Sequence, residues 1–302
     1  MSAVVAMDVK SFIALFIIRS LGLLSLSGAR RFGRFIGWLL IKTNSRALKV
    51  TRKNLQICFP EMTSQERERL AFESLMQTGQ TIAETGIAWG GTEQKFARNA
   101  AMIEDIEGIE IFEDAVSAKR GVLILTPHIG NWEILSSWLP QRCNLMALYK
   151  MAKMPGLERA MLEARESSGV KMVAGTQAGI KRLITHFENK EAALILPDQE
   201  PSERSGVKAR FYGIEVLTPK LIHSVIQRNP SGVVIFAYVL RTNNNFRLVF
   251  RKASEDIYSE DASVSATAMN KGIEECIADE PSQYQWEYKR FKRNKEGFYK
   301  GL

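Results

Sequence analysis

The sequence predicts an α/β fold, a mainly parallel sheet flanked by helices, entered through a helical N-terminal segment suited to anchor the chain at a membrane. Three observations carry that expectation. Short apolar runs alternate with helical patterns across residues 120–198. Basic charge is gathered at one end: residues 1–60 hold ten Lys or Arg against one acid, Asp8, while the other 242 residues hold 31 bases against 32 acids. That basic segment also contains the apolar run "SFIALFIIRSLGLLSLSG". With 302 residues, 45% of them hydrophobic and 25% charged, the chain can build one large domain or two small ones with an ordinary core.

The apolar run, with Arg19 near its middle, is at the lower edge of the ~17–25 residues that span a bilayer. "RRFGRFIGWLLIK" follows, and interleaves Phe32, Phe35, Ile36, Trp38 and Leu39 with cations, as an interfacial helix does. No A-x-A-like site follows, so a cleaved signal peptide fits poorly, and the positive-inside rule keeps the downstream chain cytoplasmic. A core helix of a soluble domain is the alternative reading. A nucleic-acid arm fits worse, because large apolar side chains are wasted on phosphate. The expected division is residues 1–60 as anchor and basic interfacial helices, and residues 61–302 as one α/β domain. Cys58, Cys143 and Cys276 are odd in number, widely spaced and without a CxxC pair, which favours a reducing compartment over a disulfide scaffold. The three histidines, His128, His186 and His223, have no HExxH or paired spacing, so no dedicated metal site is expected.

Beyond the anchor, "MTSQERERLAFESLMQTGQTIAETGIAW" reads as one or two amphipathic helices, capped at Thr63 or Ser64 with Glu66 and Glu68 in the first turn. "MIEDIEGIEIFEDAVSAKRG" offers a short strand and a helix ended by Gly121. Val122–Leu125 is a buried strand, followed by a turn and a helix from about Asn131 to Leu139. "NLMALYK", "VKMV" and "AALILPD" are further strands, separated by helices over "PGLERAMLEARESSG" and "GIKRLITHFENK". Thr218-Pro219 predicts a helix start, with a cap residue and proline at the first helical position. Gly213 before it reads as turn chemistry. "GVVIFAYVL" and "FRLVF", joined by residues 242–245, form a hairpin, and "VSATAMNKGIEECIAD" a closing helix.

The stretch "LILTPHIGNWEIL" sets His128 directly after a strand, where open α/β sheets bind their ligands. Glu133 lies five residues on, about 140° away if both were on one helix. Cooperation therefore needs His128 on the turn and Glu133 near the helix start. An imidazole there can take a proton from a hydroxyl, and a carboxylate on its other nitrogen would fix the tautomer. No GxSxG elbow supplies a nucleophile, so the hydroxyl to be activated would belong to a substrate, as in direct acyl transfer to an alcohol. A purely structural turn remains open on these residues alone.

"TPHIGNWE" resembles the HxxxxE/D block of the lysophospholipid acyltransferase superfamily, and more narrowly that of the bacterial lipid A late (secondary) acyltransferases. "ILPDQE" and "FYGIEVLTP" resemble that family's second block. "PSQYQWEYKRFKRN" is similar to its C-terminal Tyr-x-Trp-x-x-x-Arg-Phe-Lys signature. Four blocks in order, after an apolar basic N-terminus, cover essentially the whole chain. Two departures are Lys150, where an arginine is common, and "DQEPSERSGVKARFYG", longer and more charged than the usual glycine-rich loop.

The resemblance implies a glycerolipid-acyltransferase-like fold at the cytoplasmic face of a bacterial inner membrane. The acyl donor would be a thioester on acyl carrier protein, and the acceptor a phosphorylated lipid A precursor, with no metal and no bound cofactor; the alternatives are another lipid or glycolipid acceptor served from acyl-CoA, or a non-catalytic lipid-binding relative. It implies His128 as general base and Glu133 as its orienting partner. Asn131 and Trp132 would shape the turn, or serve as helix cap and core aromatic. Asp198 and Gln199, ending a strand on the same sheet edge, would contact the acceptor or organise the site, or form a plain strand-end turn. Arg165 resembles a family position near the active site; otherwise it pairs on the surface with an acid such as Glu166. Arg290 would clamp phosphate with its planar fork, together with Lys150 as a further acceptor contact. Tyr284 and Trp286 share its signature, Trp286 being equally readable as core, and His186 and His223 fit structural positions within helices.

Overall fold

A computed structural model of the chain describes residues 9–89, 92–152 and 154–302. The first eight residues of the expected anchor lie outside the described residues. Four helices come first: α1 (Val9–Leu21), α2 (Leu26–Lys42), α3 (Arg46–Cys58) and α4 (Ser64–Ala88). Their starts are set by hydroxyl caps. Ser25 accepts from the Gly28 N–H and Ser45 from the Leu48 N–H, and Thr63 and Glu66 form a reciprocal capping box. No helix among the described residues is long and apolar enough to cross a membrane. Phe12, Ile13, Phe16 and Ile17 of α1 and Phe32, Phe35, Trp38 and Leu39 of α2 are exposed. By contrast Leu48, Val50, Leu55 and Cys58 of α3 join the main core, so residues 46–58, expected among the interfacial helices, pack with the α/β domain instead.

The remaining elements are α5 (Glu93–Ala101), β1 (Ile103–Glu107), α6 (Ile109–Ser117), β2 (Val122–Leu125), α7 (Leu135–Trp138), β3 (Leu145–Tyr149), α8 (Pro155–Ser167) and β4 (Lys171–Ala174). Next come α9 (Gln177–Glu188), β5 (Ala192–Ile195), β6 (Gly206–Phe211), β7 (Ile214–Pro219), α10 (Leu221–Arg228), β8 (Val233–Arg241), β9 (Phe246–Lys252) and α11 (Ala262–Asp279). Seven strands form one sheet in the order β1-β9-β8-β2-β5-β3-β4. All neighbours are parallel except the β8–β9 hairpin. Central strands are apolar throughout because both faces are covered: Leu123 and Leu125 of β2 point into one core, Val122 and Ile124 into the other.

Two expected helix starts differ. Thr218 and Pro219 end strand β7, opposite Val207 and Gly206 of β6, and the helix begins at Leu221. At the last rung of a two-stranded ribbon proline's missing N–H costs no ladder bond. The β6–β7 turn takes left-handed φ at both Tyr212 (48°) and Gly213 (75°), which is what a two-residue I′-type hairpin requires. The helix expected from Asn131 to Leu139 is broken into a 3-10 turn at Trp132–Ile134, the single turn α7, and another 3-10 turn at Leu139–Gln141. Asn131 makes no capping bond there.

Helices α2 and α4 touch backbone to backbone, since a Cβ at Gly79 would overlap the Gly33 carbonyl oxygen. Beside this seam Glu84 of α4 is buried between two guanidinium groups, with Oε1 2.8 Å from Arg30 Nε and Oε2 2.9 Å from Arg241 Nε. Arg30 also donates to the carbonyls of Thr242 and Asn245, closing the β8–β9 turn onto α2. Burial pulls the Arg241 pKa down and Arg30 adds to this, against the support of Glu84. Glu84→Ala would strand two buried cations without their shared carboxylate. A loss of about 3–5 kcal/mol is expected, measured as a lowered midpoint in denaturant unfolding; an unchanged midpoint would show the cluster to be dispensable.

Candidate active site

Residues 126–131 leave β2 and are held by backbone bonds on three sides. Thr126 N–H donates to the Ile195 carbonyl, prolonging the β2–β5 ladder by one rung. Asn131 N–H donates to Val239 of β8, Gly130 N–H to the Gln283 carbonyl, and Gln285 N–H to the His128 carbonyl. Gly130 has φ of 60°, and a Cβ there would overlap the Val239 carbonyl oxygen, so the turn admits no side chain at that position. The C-terminal "QYQ" segment is thus a wall of the histidine turn: Ile129 and Tyr284 form an antiparallel bridge.

His128 meets Asp198. Leu125 and Ile195 are in register on β2 and β5, so the third residue beyond each falls at the same level of the sheet edge. The His128 Nδ1 to Asp198 Oδ1 distance is 2.6 Å, and the His128 backbone N–H donates to Oδ2 at 2.9 Å. An ionised carboxylate only accepts, so Nδ1 carries the proton and Nε2 holds the lone pair of the neutral ring. Nε2 is 3.4 Å from the Gln199 amide nitrogen. Burial alone would raise the Asp198 pKa, but the charge and hydrogen bonds of His128 outweigh it and the net shift is downward. Tyr284, buried alongside, also hydrogen-bonds this carboxylate.

Glu133, expected on the His128 ring, faces elsewhere. The irregular turn carries it past Trp132 to Arg165 of α8, which donates through Nη2 at 2.5 Å and Nε at 3.1 Å. Trp89 Nε1 adds a bond of 3.1 Å. Burial would raise the Glu133 pKa; the Arg165 charge and these bonds bring the net shift below the ordinary value. Trp132 stands between two cavities. One, of about 240 Å³, includes His128; the other, about 50 Å³ and mostly aliphatic, includes Glu133 and Arg165 with Leu135, Leu145, Leu148 and Leu194.

The structure brings His128, Asp198 and Gln199 together, and separately Glu133 and Arg165. Arg165 pairs with Glu133 rather than with Glu166 at the surface. Arg290 does not reach either cavity. It is 2% exposed, donates through both Nη atoms to the Leu217 carbonyl, Thr218 and Asn270, and lies over the Phe211 ring, so the two tips of its fork are spent on protein acceptors while its buried Nε has no hydrogen-bond partner among the described residues. Asn131 donates to Glu84, joining the turn to the buried ion cluster. Lys150 is exposed at the end of β3 and lines neither cavity. His186 bonds the Asn144 carbonyl, a structural position. Among the described residues no group of three or more His, Cys, Asp or Glu is placed to hold a metal ion. Sequence reading missed Thr78, Thr81 and Thr85 of α4 and Gln283, Gln285 and Glu287, all of which line the His128 cavity. Their spacing, helical in one set and alternate in the other, was the available signal.

The profile of the family described as "Bacterial lipid A biosynthesis acyltransferase" matches residues 4–293. The chain belongs to that family. It is 27% identical over 270 residues to the lipid A biosynthesis lauroyltransferase of Escherichia coli (strain K12), covering 88% of this chain and 86% of the relative. The palmitoleoyltransferase of the same organism is 26% identical, with 88% and 85% covered. Its myristoyltransferase is 26% identical, with 88% and 80% covered. The three relatives are named for different acyl chains, so membership carries acyl transfer in lipid A biosynthesis without fixing the chain moved.

Ionisation separates the Glu133–Arg165 pair from mere shape. A carboxyl whose folded pKa is depressed contributes stability above its unfolded pKa, about 4.3 for glutamate, and loses it as pH falls through the folded value. Glu133→Gln keeps the shape and removes the charge. Its destabilisation in denaturant melts should therefore be full at pH 7 and shrink below about pH 4, where the native residue is itself becoming neutral. A penalty independent of pH would mean that the charge contributes nothing.

Proposed function

We propose that the protein transfers a fatty acyl chain from a thioester, carried by acyl carrier protein, to a hydroxyl of a lipid A precursor at the cytoplasmic face of the inner membrane. The observation that carries this reading is the 2.6 Å contact between His128 Nδ1 and Asp198 beside a cavity, in a chain of this family. His128 Nε2 takes the proton of the acceptor hydroxyl as its oxygen attacks the thioester carbonyl. Asp198 orients the ring and stabilises the imidazolium that forms. The thiolate of the carrier leaves and recovers the proton. Glu133, charge-paired with Arg165, braces the far side of Trp132 rather than the imidazole. The leucines around that pair offer an apolar surface to part of the acyl chain, the space of about 50 Å³ there being far smaller than a whole chain.

Membrane association is part of the same reading. Exposed Phe12, Phe16, Phe35 and Trp38 lie on helices that also expose Arg19, Arg31 and Arg34, a composition suited to lying in an anionic interface. With no spanning helix among the described residues, in-plane binding is the arrangement that uses these side chains.

Two measurements test this. With carrier-protein and CoA thioesters compared as donors, His128→Ala should lower turnover by about 10²–10⁴-fold in folded protein. Asp198→Asn should also be slow, and the double variant no slower than His128→Ala alone, because one residue acts through the other. Additive losses would mean separate roles. In vesicle sedimentation, Phe35→Asp with Trp38→Asp should lower partitioning onto anionic vesicles at least about tenfold, since each buried aromatic is worth about 1.5–3 kcal/mol. Binding unaffected by the pair would place the membrane contact elsewhere.

A further inference from the structure

Two stripes of polar side chains wall the His128 cavity: Thr78, Thr81 and Thr85 at helical spacing on α4, and Gln283, Gln285 and Glu287 at alternate positions of the C-terminal segment. Most of their hydrogens are already committed. Thr78 donates to Glu287 Oε2 at 3.1 Å, while Thr81 and Thr85 donate to the carbonyls of Gln77 and Thr81 on their own helix. The Gln283 amide is used at both ends by the Arg241 backbone, and Gln285 hydrogen-bonds Glu287. What remains on offer is chiefly lone pairs, on Thr85 and Glu287, while His128 Nε2 already faces the Gln199 amide nitrogen at 3.4 Å. Among the described residues no lysine or arginine lines the cavity.

An acceptor-rich cavity without a cation suits a ligand that donates hydrogen bonds. It suits a phosphate badly, because an anionic phosphate brings acceptors and negative charge. The volume of about 240 Å³ equals the liquid share of about eight water molecules, enough for one sugar ring. Trp132 offers an aromatic face, and half-exposed Ile82 marks an apolar edge. Burial pushes the Glu287 carboxyl above its ordinary range, against the opposing effect of its hydrogen bonds and of His128, so a donating ligand replaces solvation that this group lacks.

We infer that the cavity is a subsite for an uncharged sugar portion of the acceptor lipid, with Glu287 as its specificity-determining residue. Its carboxyl accepts a hydrogen bond from a sugar hydroxyl or amide N–H, and the acceptor's phosphate stays outside. This rests on the reading of the protein as an acyltransferase of a phosphorylated glucosamine lipid. The amide-bearing pantetheine arm of the donor has related chemistry, and the kinetic arms below separate the two sources.

Acyl transfer by the full-length protein is measured with each substrate varied in turn. Glu287→Ala should raise the acceptor KM about ten- to hundredfold, the loss of a hydrogen bond to a carboxylate, with the donor KM unchanged. Glu287→Gln, nearly the same in shape, should be intermediate. In parallel the protein in detergent is titrated with N-acetylglucosamine and with N-acetylglucosamine 1-phosphate, read by the fluorescence change that Trp132→Phe removes. The uncharged sugar should bind more tightly, and Glu287→Gln should narrow that preference. A rise in donor KM instead, or equal binding of the two sugars, overturns the proposal. So does a Glu287→Ala protein with unchanged acceptor KM and unchanged sugar affinity. If the wild-type protein moved no acyl chain from either donor, the acyltransferase reading would fall, and the sugar titration would still decide what the cavity holds.

Discussion

The Glu84 carboxylate is the contact through which the N-terminal helices and the histidine turn hold one another. One oxygen takes Arg30, which also gathers the β8–β9 turn; the other takes Arg241 and the Asn131 amide. Arg241 in turn donates to the Gly130 carbonyl and to Thr81 at the cavity wall. A single buried charge thereby fixes the distance between α2, which exposes its aromatics, and the backbone that carries His128. Buried ion clusters seldom add net stability over a packed apolar alternative, because dehydrating the charges offsets their attraction. Their worth here is geometric, since a guanidinium fork and a carboxylate permit few relative orientations.

A second constraint is the position of Trp132. Its ring meets His128 edge-on, with centroids 4.9 Å apart, and borders both cavities. The polar space holds the imidazole, while the aliphatic space ends on the Glu133–Arg165 pair. A reaction that joins a hydrocarbon chain to a hydrated alcohol needs these two environments within a few ångströms of each other. Trp132 lines both spaces, so one flat side chain borders the two environments.

Much of this was legible in the sequence. The uniformly apolar runs of β2, β3 and β5 announced a parallel sheet covered on both faces, and the Asn-rich turn announced the β8–β9 hairpin. His128 was legible because it directly follows one of those runs. Its partner was not. Asp198 is 70 residues away, and it arrives because β2 and β5 are neighbours in space although β3 and β4 separate them in sequence. Glu133 looked like the partner through nearness in the chain, but a broken helix does not keep the angles that spacing assumes. Arg290 looked like a phosphate clamp because burial cannot be read from a charge within a basic tract. The β6–β7 hairpin was hidden for a related reason: tyrosine is rarely found at positive φ, so Tyr212-Gly213 carries a weak turn signal.

The backbone ties between the histidine turn and residues 283–285 also set an order of events in time. A ribosome adds about 5–20 residues per second, and folding of the emerging chain proceeds from its N-terminal side. His128 therefore waits on the order of ten seconds for the segment that will wall its turn. During that interval the N-terminal helices can form while the imidazole still lacks Tyr284, Gln285 and the rest of its enclosure. The site around His128 is therefore completed only once residues 283–285 have been made, after both neighbouring strands of the sheet.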